Sequence, residues 1–114
     1  MKAFAVRAAE RKVRLDGALT HLVERVRTMP DVHAVYVYGS YAAERVGPHS
    51  DLDLVIVRET ELPRRQRDRD LALGLDVPVA IDALVFTPEE FARLGEGSSF
   101  GRTIVETAVR VYAA

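Results

Sequence analysis

Two aspartates, Asp51 and Asp53, stand two residues apart in the run Asp-Leu-Asp-Leu-Val-Ile-Val, and ten residues separate Asp51 from a Gly39-Ser40 pair. Side chains alternate along an extended strand, so the two carboxylates point to one face. On this reading Leu52, Leu54 and Ile56 face the core, while the aspartates share the other surface with Val55 and Val57. Carboxylates this close repel each other. A divalent cation turns that repulsion into attraction, and hard oxygen donors suit Mg2+ held jointly with phosphate oxygens. Gly39 has no Cβ and lets backbone come close to a phosphate. Ser40 adds a hydroxyl and an N–H, and a short helix starting there brings further amide donors.

A third carboxylate, Asp82, interrupts the otherwise apolar run Val79-Ala80-Ile81-Asp82-Ala83-Leu84-Val85-Phe86. Such a run predicts a strand buried on both faces apart from the aspartate. An ionised carboxylate without a partner is costly there, or neutralises. If this strand lies beside that of Asp51 and Asp53, Asp82 completes a triad able to hold two metal ions. One ion would position a triphosphate, and the other would lower the pKa of an attacking hydroxyl. The competing reading pairs Asp82 with an arginine from the Arg64 to Arg69 run. His21, His33 and His49 have no metal-ligand spacing among themselves, and His49 reads as a surface-loop residue.

These residues need a scaffold. Leu15, Leu19, Leu22, Val23 and Val26 recur at three- and four-residue steps and predict an amphipathic helix over 15–28. Residues 2–14 are also helix-prone, with Asp16-Gly17 leaving the continuity of the two stretches open. Val32 to Tyr38 is short, β-branched and aromatic, hence a strand, ended by Gly39. A helical turn over 40–45 and a loop with Gly47 and Pro48 lead to the strand over 51–57. The link is too short for a long crossover helix, so these strands are expected to pair antiparallel. Pro63 opens a predicted helix over 62–75 with a charged, solvated face, closed by Gly74. Thr87-Pro88-Glu89-Glu90 carries a capping box, and residues 100–112 are expected to form a final amphipathic helix. The order predicts an α+β fold: a small mixed sheet of three or slightly more strands with helices packed mainly on one side.

Composition narrows the function classes. With 48% hydrophobic and 29% charged residues the chain reads as a soluble globular protein, and 114 residues fit one domain spanning 1–114. A formal net charge of -1 supplies no global attraction to nucleic acid or an anionic membrane. The absence of cysteine excludes disulfides, thiol nucleophiles and thiolate metal sites. No apolar run approaches the ~20 residues that cross a bilayer, and a cytoplasmic location is expected.

Gly39-Ser40, ten residues, Asp51-Leu52-Asp53 and the later lone Asp82 together resemble the signature of the DNA polymerase β-like nucleotidyltransferases. More narrowly, the chain is similar to minimal nucleotidyltransferases paired with a helical HEPN protein in prokaryotic toxin–antitoxin modules. The likeness extends through Val-Pro-Val-Ala-Ile-Asp-Ala-Leu-Val-Phe-Thr-Pro-Glu-Glu-Phe to a closing helix ending in Val-Tyr. Pro48 and Ser50 agree with the family pattern. It departs at Tyr41, where an arginine is common, and at Glu44, where a glycine is common. The resemblance implies a nucleotidyltransferase fold and Mg2+-dependent transfer of AMP from ATP to a hydroxyl. Gly39 and Ser40 would serve the nucleotide, and Asp51, Asp53 and Asp82 the metal and catalysis. It implies an antitoxin whose acceptor is a partner HEPN ribonuclease toxin, with homo- or hetero-oligomers to bring donor and acceptor together. The alternative is a binding module of the same fold that neutralises its partner by contact.

Overall fold

The computed structural model describes residues 3–73 and 79–114. Helix α1 (Phe4–Val26) is continuous through Asp16-Gly17, so the two helix-prone stretches are one element. Strand β1 (Val32–Tyr38) runs into a single turn of helix, α2 (Gly39–Ala42), at the place expected for it. Strand β2 (Leu52–Arg58) pairs antiparallel with β1, and β3 (Ile81–Phe86) lies parallel to β2 on its other side. Short helices α3 (Pro88–Ala92) and α4 (Leu94–Gly97) then precede α5 (Ser99–Thr107). Strand β4 (Val109–Ala113) returns antiparallel to β1, giving the sheet order β3-β2-β1-β4.

The core follows the alternation of the central strands. On one face Leu52, Leu54 and Ile56 join Val35 and Val37 under Leu15, Ala18, Leu22 and Val26 of α1. Each large aliphatic side chain buried there contributes about 1.5–3 kcal/mol. On the opposite face Val55 and Val57 are not a free surface: Ala34, Phe86 and Ile104 pack with them, and Tyr36 stacks on Phe91 at 4.9 Å. The long helical cover therefore lies on one face, and three short helices close the other. Gly101 makes that closure possible, since a Cβ there would run into the carbonyl of Leu94. Among the described residues no helix is long and apolar enough to cross a membrane.

Three local expectations are corrected. The helix over 62–75 is replaced by two 3-10 turns, Arg64–Gln66 and Arg69–Leu71; residues 74 and 75 lie outside the described residues. Arginine side chains take backbone carbonyls in and beside this stretch. Arg67 donates to the carbonyls of Leu62 and Val85, Arg58 to that of Arg67, and Arg25 to that of Leu71. Ala72, at φ 51, then turns the chain away. The final helix stops at Thr107, because Val109 to Ala113 pair with β1. Strand β3 is an edge strand rather than one buried on both faces, and Ile81, Ala83 and Leu84 are only half-buried. The capping box forms as expected: the Thr87 hydroxyl accepts from the Glu90 N–H at 3.2 Å, and the Glu90 carboxylate from the Thr87 N–H at 2.9 Å.

Candidate active site

Three adjacent strands bring the chemistry together. Asp53 of β2 is the register partner of Tyr38 on β1 and of Asp82 on β3. Neighbouring strands lie about 4.8 Å apart, so the two carboxylates stand side by side on one face. The sequence reading required this juxtaposition but could not establish it. Burial raises the pKa of Asp53 above its ordinary value, and the charges of Asp82 and then Asp51 raise it further. Tyr38 is raised in the same way, by burial first and then by the charges of Asp53 and Asp82. A half-buried carboxylate crowded by two others is a set of hard oxygen donors whose repulsion a divalent cation relieves.

Gly39 borders this pair. Its φ of 74 lies in the left-handed region, and a Cβ built on it would strike the Asp53 carboxylate. A glycine is thus needed twice at this position, for the turn out of β1 and for the approach to Asp53. Ser40 follows in the first turn of α2 and is half-buried.

Asp51 is placed differently from the other two. It precedes β2, is exposed, and lies 3.6 Å from the guanidinium of Arg11. Among the described residues no group of three His, Cys, Asp or Glu side chains is close enough to surround a metal ion. Asp53 and Asp82 form the adjacent pair, with Asp51 within electrostatic reach. Asp82 is exposed at the sheet edge, so the burial cost expected for it does not arise. Nor do the arginines that the sequence offered as partners turn to it. Arg67 and Arg64 both reach Glu90 instead, at 2.5 and 3.5 Å.

At the two departures from the family pattern the structure shows a partner for one side chain and a strained backbone at the other. The Tyr41 hydroxyl donates to Asp16 of α1 at 2.5 Å, and its pKa rises to about 12, through burial and then that hydrogen bond. Tyr41 therefore binds α2 to α1. Glu44 sits at φ 58, the left-handed conformation for which glycine is the unstrained residue.

A model of the polymerase beta nucleotidyltransferase domain matches residues 20–109, which include β1, β2 and β3 and all of Gly39, Ser40, Asp51, Asp53 and Asp82. The chain belongs to the polymerase beta nucleotidyltransferase family. Among solved structures, a candidate nucleotidyltransferase from Sulfolobus solfataricus superposes with a TM-score of 0.66 at 22% identity, covering 94% of this chain and 87% of that one. A toxin–antitoxin complex with AMP-PNP gives 0.54 at 19% identity over 86% of this chain and 73% of its own. A variant of the MntA-HpeT toxin–antitoxin gives 0.51 at 19% identity over 87% and 72%. Among curated proteins, none matches. These likenesses establish the nucleotidyltransferase fold. Two residues at this site escaped the sequence reading. Tyr38 was legible in principle, being the strand residue immediately before Gly39. Arg11 was not, because it meets Ser50 across a separation of 39 residues.

Proposed function

We propose that this nucleotidyltransferase transfers AMP from ATP to a hydroxyl of a partner protein, a HEPN-type toxin, with pyrophosphate as the leaving group, and so acts as its antitoxin. The observation that carries the reading is the register pairing of Asp53 with Asp82 beside Gly39. The toxin–antitoxin complexes that share the fold support the choice of partner. Asp53 and Asp82, with Asp51 turning in from the loop, are the residues that would hold Mg2+. When bound, the metal supplies charge neutralisation for the triphosphate and acidifies the attacking hydroxyl. Gly39 leaves room for the phosphates, and Ser40 offers its hydroxyl and N–H. Asp82, exposed at the strand edge, is open to an acceptor hydroxyl and would receive its proton.

A contact-only antitoxin is the second reading. It is favoured by the side chain at 41, which is spent on α1 where the family commonly places an arginine. Mass spectrometry of the co-expressed partner after incubation with ATP and Mg2+ separates the two. Added AMP that disappears in the Asp51→Asn/Asp53→Asn double variant supports the transferase. A stable complex without added AMP, with the double variant still neutralising the toxin in cells, supports the binder.

A further inference from the structure

Helix α1 reaches beyond the sheet that it covers. Its fully buried residues begin at Leu15, and the turns before it run alongside the loop leading to β2. Arg11 lies on the same stripe as Leu15, Ala18 and Leu22, three to four residues apart, so it is aimed at that loop. Its side chain is only 15% exposed. The Nε–H donates to the Ser50 carbonyl at 2.7 Å, while Nη2 lies 3.6 Å from Asp51 Oδ1. The loop is also closed on itself, because the Gly47 N–H donates to the Ser50 hydroxyl at 2.8 Å and the Ser50 N–H to the Gly47 carbonyl at 3.2 Å. One guanidinium thus grips the backbone next to Asp51 firmly and its carboxylate loosely.

We propose that Arg11 is a positioning residue of the nucleotidyl-transfer site, anchoring Ser50 so that Asp51 is presented to a divalent cation alongside Asp53 and Asp82. The inference rests on the metal-site reading above. The tight bond goes to the carbonyl and the loose one to the carboxylate. Asp51 is therefore free to turn towards a cation without the loop losing its anchor. A lysine, as a single point charge, cannot serve both acceptors with the same geometry.

The test is a calorimetric titration of the full chain with Mn2+, without nucleotide, for the wild type, Arg11→Gln, Arg11→Lys and Asp53→Asn. Amide hydrogen exchange at Ser50 is followed in parallel. Loss of a group that orients a metal ligand weakens affinity by roughly 10-fold or more. Arg11→Gln is expected to show that loss and faster exchange at Ser50, with an unchanged melting profile for the rest of the fold. Arg11→Lys should recover part of the affinity, and Asp53→Asn should abolish binding. Arg11→Gln binding Mn2+ as well as or better than the wild type overturns the proposal, because the guanidinium is then only a competing counter-charge. A wild type that binds no Mn2+, either alone or in a repeat titration with a non-hydrolysable ATP analogue present, overturns the metal-site reading and this inference together, whereas normal wild-type binding with an unaffected Arg11→Gln overturns this inference alone.

Discussion

Substituting Gly39 by alanine separates the backbone's contribution to the fold from its contribution to the site. At φ 74 an alanine meets the left-handed penalty of roughly 1–2 kcal/mol. Removing glycine's freedom in the unfolded chain returns roughly 0.5–1 kcal/mol. The net loss of stability is then about 0–1.5 kcal/mol, a fall in Tm of at most about 6 °C for a chain of this size. The site suffers more, because the new Cβ would strike the Asp53 carboxylate. That oxygen must retreat by roughly 1 Å to regain van der Waals contact, and a displacement of that size at a reacting centre costs on the order of 100-fold in rate. The assay is AMP transfer to the partner, measured beside thermal melting of the same preparations. A small Tm change with a loss of about two orders of magnitude in transfer is the expected pair of results. Transfer within threefold of the wild type would refute the claim that Gly39 makes room for a working Asp53.

Glu44→Gly relieves the left-handed strain at φ 58, net of glycine's own entropic cost, and should stabilise the protein by about 0.5–1 kcal/mol in a denaturant melt. Gly17→Ala lies in α1 with nothing within 4 Å of the new methyl group, so helix propensity acts alone. A gain of about 0.8–1 kcal/mol is expected, and an unchanged denaturation midpoint would contradict it. Glu90, hydrogen-bonded by the Arg67 guanidinium and by the Thr87 N–H, has its pKa lowered from 4.5 to about 2. A depressed carboxylate pKa contributes stability that is complete above pH 4.5 and disappears as the pH falls through about 2. The Tm gap between the wild type and Glu90→Gln should therefore be widest near neutrality and close on acidification; a gap independent of pH would show that the ion pair is not its source.

The sequence by itself determined the first three strands, the capping box and which residues are candidates for the site. Val32 to Tyr38 and, to within one residue at each end, the strand over 51–57 were legible because short runs rich in β-branched and aromatic residues have few alternatives. The Thr87 cap was legible because its partner lies three residues away. Gly39, Ser40, Asp51, Asp53 and Asp82 could be singled out by type and spacing alone. Where the reading failed, non-local partners outweighed local pattern. The helical spacing of Ile104, Val105, Ala108 and Val111 gave way to β4 because the edge of β1 offered Val109 to Ala113 a ladder of hydrogen bonds. The charged run after Pro63 became two 3-10 turns because Arg58 and Arg67 are buried against acceptors contributed by other segments. Tertiary structure alone decided that Asp53 and Asp82 are register partners, that Asp51 stands apart under Arg11, and that Tyr41 faces α1. Each of these depends on which strand or helix face lies next to which. That choice is made by burying the two faces of the sheet together, and no window of sequence contains it.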